Sequence, residues 1–95
     1  MNTHIILDEK TRTATREGKK IKLSQKEYLL LEFLIENKNN IVDRKKLLKH
    51  IWKYAPDVET RVVDVYVGYL RRKIDTPFSN KLLHSVRGLG YICKL

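Results

Sequence analysis

The sequence has little of what disulfide-bonded, metal-binding or membrane-spanning proteins need. Cys93 is the only cysteine, so no disulfide can form within the chain and a cluster of thiolate metal ligands is excluded. The histidines His4, His50 and His84 lack the helical spacing or cysteine neighbours of a zinc site, so we predict neither a metal nor a cofactor. No apolar run approaches the roughly 18 residues of a membrane span, and the polar N-terminal segment does not resemble a signal peptide. We therefore expect a cytoplasmic protein with no membrane partner.

The motifs of common catalytic sites are missing as well. There is no G-x-x-x-x-G-K-S/T phosphate loop, and the glycines at Gly88 and Gly90 lack the third glycine and the strand-to-helix setting of a dinucleotide fingerprint. The carboxylates show no paired arrangement suited to acid–base catalysis, as judged for Asp8, Glu17, Asp43 and Asp64. We predict that the protein is not an enzyme.

The chain does have the size and composition of one folded domain with a basic surface. Its 95 residues suffice for one modest core, so we predict a single domain over residues 1–95, and 42% of them are hydrophobic. Lysine and arginine total 20 against 11 aspartates and glutamates, a formal net charge of +9. This excess indicates a polyanionic partner, which on charge alone is DNA, RNA, an anionic lipid surface or an acidic protein.

The N-terminal part of the chain alternates between apolar and polar residues and then changes to helical spacing. HIILDEK, TRTATRE and KKIKL have the two-residue period of strands, with turns at residues 8–10 and 17–19, and predict an antiparallel sheet. Ser24 and Glu27 have the spacing of a capping box, in which each side chain accepts a hydrogen bond from the other residue's amide. A first helix is predicted to begin at Ser24 and to end at the polar run of residues 37–40.

A second helix is predicted over residues 43–52. Asp43 can cap its N-terminus, and Val42 can pack toward Leu47 as a hydrophobic staple. Its buried side is predicted to hold Leu47, Leu48, Ile51 and Trp52. A proline within residues 53–59 then breaks the helix and predicts a loop.

The third predicted helix, from about Thr60 to Ile74, indicates function most directly because its two faces differ. At about 100° per residue, the side chains within about 40° of Val63 form a core stripe, namely Val67, Leu70 and Ile74. The opposite face mixes cations with apolar and aromatic groups: Arg61, Val62, Val65, Gly68, Tyr69 and Arg72. Its arginines can reach phosphates, and its valines and tyrosine can meet base edges in a major groove. The alternative interpretation is a helix packed on both sides.

The C-terminal segment KLLHSV-RGLG-YICKL reads as two strands joined by a glycine-bearing turn. Gly88 and Gly90 allow the tight backbone, and Arg87 can project from the hairpin. A narrow minor groove attracts such an arginine, whereas the alternative is a solvated loop side chain.

The order of elements, together with four stretches of sequence, resembles one protein family. The stretches LSQKEYLLLEFLIEN, IVDRKKLLKHIW, VETRVVDVYVGYLRRKID and LLHSVRGLGYI are similar to the winged helix-turn-helix output domain of OmpR/PhoB-type two-component response regulators. The resemblance covers nearly the whole chain. It implies an α+β fold with an N-terminal antiparallel sheet, three helices and a C-terminal hairpin wing, and it implies transcriptional regulation through sequence-specific binding of double-stranded DNA.

The resemblance also implies roles for particular residues. The third helix would enter the major groove, with base or groove contacts from Val62, Val65, Tyr69 and Arg72. Arg87 would enter the minor groove. Contacts to the DNA backbone would come from Arg44, Trp52, Arg61, Arg71, Ser85 and Tyr91.

Partners follow from the same resemblance. Family members usually bind in tandem on direct repeats one helical turn apart. The loop from Lys53 to Glu59 matches the segment that contacts RNA polymerase in activators. The full-length protein would add a receiver domain and a sensor kinase as partners. No receiver domain lies within residues 1–95, so we expect an excised fragment, and a protein born without a receiver is the alternative. A winged-helix module that docks an acidic protein or a membrane surface is the alternative function.

Overall fold

The structure is a computed structural model, and it describes residues 5–55 and 58–95. Within these residues the N-terminal sheet consists of β1 (Ile5–Asp8), β2 (Thr13–Arg16) and β3 (Lys19–Lys22). The helices follow as α1 (Gln25–Glu36), α2 (Arg44–Leu47) with a π-helical turn over Leu48–Trp52, and α3 (Val62–Ile74). The hairpin is formed by β4 (Leu83–Val86) and β5 (Gly90–Cys93). This sequence of elements is the α+β arrangement that we predicted.

The N-terminal sheet is antiparallel in the order β1-β2-β3. Leu7 pairs with Ala14, and Ala14 pairs with Ile21, so one face of the sheet presents apolar side chains to the core. Ile6 on the other face is 66% exposed. β1 ends at Asp8 and β2 begins at Thr13, inside the predicted strands, because residues 9–12 turn the chain; His4, at the predicted start of the first strand, lies outside the described residues.

Helix α1 begins as the capping box predicts. The Glu27 amide donates to Ser24 Oγ at 3.2 Å, and the Ser24 amide donates to Glu27 Oε1 at 2.8 Å. The helix ends at Glu36, and Asn37 caps its C-terminus with a side-chain hydrogen bond to the Phe33 carbonyl. Leu30, Leu31 and Leu34 are fully buried and fix α1 in the core.

The second helix differs from the single α-helix that we predicted. Asp43 caps it, accepting from the Lys45 amide at 2.7 Å, but the α-helical part ends at Leu47 and the chain continues as a π-helical turn. Lys53 closes this turn with a left-handed φ of 61°. The apolar pattern could not distinguish the two because Leu47, Leu48 and Ile51 are buried in the observed arrangement as they would be in an α-helix.

Helix α3 lies across the core with the predicted stripe inward. Val63, Val67, Leu70 and Ile74 are at most 1% exposed. The helix begins at Val62 rather than Thr60, because Thr60 Oγ1 accepts a hydrogen bond from the Val62 amide at 3.2 Å and so precedes the first turn.

The hairpin is antiparallel and joins the link between α1 and α2. Ser85 pairs with Tyr91 inside the hairpin, and the Val42 amide donates to the Tyr91 carbonyl at 2.8 Å. At Gly90, where φ is +148°, an added Cβ would lie 2.0 Å from the Val42 carbonyl oxygen. Gly90 is therefore required by this close backbone approach, as well as by its conformation.

A buried ion pair connects the N-terminal sheet to the end of α3. Arg16 on β2 is 0% exposed and its Nη1 lies 3.1 Å from Asp75 Oδ1. Asp75 also accepts hydrogen bonds from the amides of Leu82 and Leu83, each at 2.9 Å. The pair holds the sheet, the end of α3 and the start of the hairpin together.

Across the described residues, no helix is long and apolar enough to cross a membrane.

Candidate nucleic-acid interface

The solvent-facing side of α3 carries the side chains that the sequence assigned to it, with different exposures. Val65 is 45% exposed and Tyr69 is 40% exposed, and Arg72 is also exposed. Val62 is half-buried and packs against the core, so it presents less surface than the sequence suggested. Gly68 has no other atom within 4 Å of the position a Cβ would take. The centre of this face is consequently uncharged, open and partly aromatic.

An aromatic cluster fixes the position of Tyr69. Trp52, at the end of the π-helical turn, meets Tyr66 edge to face with ring centroids 5.3 Å apart. Tyr66 in turn meets Tyr69 edge to face at 5.2 Å. The Arg72 guanidinium lies 5.4 Å from the Tyr69 ring centroid, within the range of a cation–π contact. Sequence reasoning missed Tyr66, although its place one turn before Leu70 on a helix rim was a usable signal.

A cationic cleft opens between the start of α2, the start of α3 and the hairpin. It measures about 550 Å³, and its lining includes Arg44, Lys45, Arg61 and Arg87. Lys45 was not among the residues assigned from the sequence, although it directly follows one that was. Three elements distant in sequence thus bring positive side chains to one concave surface, which suits a chain of phosphates.

Two carboxylates, Asp43 and Asp64, line the same cleft, and Asp64 is the one bonded to its cations. The Arg44 guanidinium donates to both of its oxygens at 3.1 Å, and the Tyr91 hydroxyl donates to its Oδ1. Burial, followed by the hydrogen bond to Asp64, raises the pKa of Tyr91 to about 12. Two residues assigned to the DNA backbone, Arg44 and Tyr91, therefore meet at one acceptor that the sequence did not single out.

A second set of assigned residues lies on the side of the hairpin next to α3. Arg71 Nη2 donates to Ser85 Oγ at 2.8 Å, and the Arg71 guanidinium lies 5.7 Å from the Tyr91 ring centroid. Arg71 and Ser85 therefore form a polar group between the helix and the hairpin, beside the ring of Tyr91, whose hydroxyl is bonded to Asp64. Such an arrangement places hydroxyl and guanidinium donors close together, and a phosphate group can accept hydrogen bonds from both.

The tip of the hairpin forms one wall of the cationic cleft. Arg87 is exposed, and within the described residues it has no hydrogen bond or ion pair. Gly88 follows it with a φ of +76°, and Leu89 is 60% exposed. A free cationic side chain on a narrow tip has the shape required to enter a minor groove.

The loop of residues 53–59 is described only in part. Residues 56 and 57 lie outside the described residues, so the segment assigned to RNA polymerase contact is incomplete. On either side of them, Tyr54 is 44% exposed and Val58 is 43% exposed.

Comparison with known proteins was made by sequence and by structure. Residues 18–93 match the profile of the family described as "Transcriptional regulatory protein, C terminal". The chain is 42% identical over 90 residues to the response regulator ArlR of Staphylococcus aureus, an alignment covering 95% of this chain and 41% of ArlR. The chain thus spans about two-fifths of the length of this curated relative.

Solved structures give the same result for the fold. The DNA-binding domain of Klebsiella pneumoniae RstA, crystallised in complex with the RstA box, superimposes with a TM-score of 0.85 at 27% identity, covering 99% of this chain and 95% of that domain. DrrB of Thermotoga maritima, an OmpR/PhoB homologue, superimposes with a TM-score of 0.80 at 34% identity, covering 96% of this chain and 42% of DrrB.

Proposed function

The chain belongs to the family of response-regulator C-terminal domains of the OmpR/PhoB type, which bind DNA through a winged helix and regulate transcription, and from this membership we propose its mode of action. It binds double-stranded DNA sequence-specifically, as the output domain of a two-component response regulator in the cytoplasm. Helix α3 enters the major groove and Arg87 on the hairpin enters the minor groove. The family is one of transcriptional regulators and not a class of enzymes.

The observation that carries the proposal is the distribution of charge around α3. Arg61 and Arg72 lie near the two ends of its exposed face, while Val65, Gly68 and Tyr69 form an uncharged centre. Cations bind phosphates without regard to sequence, whereas apolar and aromatic groups discriminate bases by their methyl groups and edges. A helix of this design suits a major groove about 12 Å wide, in which its ends face the two backbones and its centre faces the bases.

Base contacts are assigned to the centre and C-terminal half of the exposed face. Val65 and Tyr69 are the most exposed apolar groups of α3, and Tyr69 is held by Tyr66 and Arg72. Val62 contributes through its exposed edge. A side chain already fixed in its bound position loses less conformational entropy on binding, which favours discrimination by Tyr69 and Arg72.

Backbone contacts are assigned to residues on either side of this centre. Arg44, Arg61 and Tyr91 belong to the cationic cleft, Arg71 and Ser85 to the polar group beside the hairpin, and Trp52 to the aromatic cluster. Together they can follow one phosphate backbone from α2 to the hairpin, and Arg87 extends the contact into the adjacent groove.

The partners, DNA included, are proposed from membership of the family. The RstA domain was crystallised with the RstA box, and the AdeR DNA-binding domain with an intercistronic region. For this chain we propose tandem direct repeats as the target, RNA polymerase as a partner of residues 53–59, and a receiver domain and sensor kinase acting on the full-length protein.

Selection of bound duplexes from a random pool, followed by affinity measurement over a salt series, tests the proposal. We expect enrichment of a defined sequence and an affinity that falls linearly with salt on a log–log plot. Arg87→Ala should weaken binding and reduce the preference for a narrow A·T-rich minor groove, whereas Lys20→Ala on the outer sheet is the matched control for loss of one positive charge. No enrichment in the selection, or equal binding by Arg87→Ala and wild type at moderate salt, would contradict the proposed mode.

Base reading is tested separately at Tyr69. Tyr69→Ala should relax preference at particular positions of the selected sequence, at a cost of about 1–3 kcal/mol on the cognate duplex. An equal loss of affinity for cognate and scrambled duplexes would instead assign Tyr69 to the DNA backbone.

A further inference from the structure

Asp64 is a carboxylate in the first turn of α3, within the surface that binds DNA under the proposed function. Its side chain is 23% exposed, and cations of three elements surround it in the cleft. A negative charge at this place repels phosphates and lowers the affinity for any duplex, whatever its sequence. Against this cost stand the hydrogen bonds that it accepts from Arg44 and from Tyr91.

The first of these groups is Arg44, which precedes Asp64 by twenty residues. Arg44 Nε donates to Asp64 Oδ1 and Nη2 donates to Oδ2, both at 3.1 Å, and Nη2 also donates to the Thr60 carbonyl at 3.3 Å. Two parallel hydrogen bonds fix the plane and the reach of the guanidinium. Because the Arg44 side chain is 46% exposed, the pair adds little to the free energy of unfolding. Its main effect is on the position of Arg44.

The second group is the hydroxyl of Tyr91, which donates to the same Oδ1. Tyr91 lies on β5, only 8% exposed, and its backbone bonds in both directions to Val42. Its ring is therefore anchored, and the hydroxyl ties the hairpin to the first turn of α3. Arg61, by contrast, is 85% exposed and only approaches Asp64, at 3.8 Å, so its side chain is not fixed in the same way.

From these contacts, and resting on the proposed function, we propose that Asp64 is a positioning residue for DNA recognition. Its carboxylate holds Arg44 and the Tyr91 hydroxyl against the start of α3, so that α2, α3 and the hairpin meet the duplex in one arrangement. Loss of the carboxylate has two opposite effects. Removing a negative charge strengthens attraction to every duplex, while disordering Arg44 and the hairpin loosens the register of the three elements on the duplex, which weakens binding most where they must fit one sequence.

Asp64→Asn separates these effects because it removes the charge and keeps the shape. Two probes are used: the duplex that the wild-type domain selects from a random pool, and a duplex of equal length and composition with its sequence scrambled. We expect the ratio of the two affinities to fall about tenfold, within the range that coupling inside one hydrogen-bond network produces. The affinity for the scrambled duplex should stay equal or rise. Glu17→Gln, in the exposed turn between β2 and β3, makes the same charge change and should leave the ratio unaltered.

Arg44→Lys approaches the same contact from its other partner and guards against misfolding of Asp64→Asn. It keeps the positive charge but cannot form the two parallel hydrogen bonds, so the ratio of the two affinities should again fall. A folded Asp64→Asn variant with an unchanged ratio, or with equal losses on both duplexes, overturns the proposal. If Asp64→Asn does not fold, an unchanged ratio in Arg44→Lys overturns it instead. A wild-type domain that selects no sequence refutes the proposed function itself, which distinguishes the two failures.

Discussion

The buried Arg16–Asp75 pair offers the sharpest prediction about what holds the domain together. The Arg16 guanidinium donates to Asp75 and to the carbonyls of Ile74 and Asn80, and it lies 4.6 Å from the Phe78 ring centroid. Arg16→Met keeps most of the side-chain volume and removes the guanidinium hydrogen bonds to all three acceptors. The carbonyls of Ile74 and Asn80 then lose a donor, and the buried carboxylate of Asp75 loses its cation.

The magnitude follows from which groups are left unpaired. Asp75 would retain the Leu82 and Leu83 amides, so its charge is not wholly abandoned in Arg16→Met. Removing one partner of a buried ion pair nevertheless costs about 3–5 kcal/mol. Asp75→Asn should cost a similar amount, because the guanidinium stays charged and buried while one amide of the hairpin loses a good acceptor. Small domains unfold with about 5–15 kcal/mol in total, so either variant retains only part of the wild-type stability.

Urea unfolding followed by circular dichroism measures these changes. At an m-value of about 1.5 kcal/mol per M, a loss of 3 kcal/mol moves the midpoint by about 2 M. The double variant Arg16→Met with Asp75→Asn should cost about 2 kcal/mol less than the sum of the singles, since neither change then leaves an unpaired charge. Lys20→Met on the exposed face of the sheet should stay within about 0.5 kcal/mol of wild type. Single losses below about 1 kcal/mol, or strict additivity, would refute the reasoning.

Two further predictions concern the hairpin and the start of α1. Gly90→Ala should destabilise the domain by more than about 3 kcal/mol in the same urea assay, because its Cβ would collide with the Val42 carbonyl. Gly88→Ala is the control: it has open space around it and should cost only about 1–2 kcal/mol, for its left-handed backbone. Similar costs for the two would contradict the close approach. Burial raises the pKa of Glu27, but hydrogen bonds from Lys73 and the backbone outweigh it and lower the pKa overall below 4.5. The contribution of Glu27 to stability is therefore present above pH 4.5 and lost as the pH falls through the lowered pKa. The loss of unfolding free energy in Glu27→Gln, relative to wild type, should shrink on acidification. A loss that does not depend on pH would show that the carboxylate charge is not involved.

Features encoded by neighbouring residues could be predicted from the sequence. The capping box at Ser24 and Glu27, the core stripe on α3 and the glycine-bearing hairpin each depend on residues a few positions apart, whose spacing reports the local backbone. The resemblance to a response-regulator output domain, whose motifs lie on these same local elements, was confirmed by the match of residues 18–93 to the family. The roles of individual residues on the DNA-binding surface remain predictions.

Features that join distant residues could not be predicted. Arg16 and Asp75 are 59 positions apart, and Asp64 meets Arg44 and Tyr91 from 20 and 27 positions away. In the sequence these charges look like ordinary surface residues, since nothing local marks a carboxylate as the acceptor for a distant donor.

The π-helical turn was missed for a different reason. It buries the same leucines as an α-helix would, so hydropathy carries no signal of it.

The ion pairs around α3 share a pattern that bears on recognition. Asp64 at its start bonds to α2 and the hairpin, Lys73 near its end bonds to Glu27 of α1 at 2.7 Å, and Asp75 just beyond it bonds to Arg16 of the sheet. The buried stripe fixes the rotation of the helix, and these contacts fix both of its ends against every other layer of the domain. Under the proposed function, Val65 and Tyr69 would then meet bases from a backbone that needs little reordering. An acidic residue in such a surface weakens the attraction to every duplex equally, because phosphates are the same in every sequence. The fixed arrangement that it imposes on the binding elements favours only the sequence that fits them. Such a residue can therefore improve the discrimination between one sequence and another.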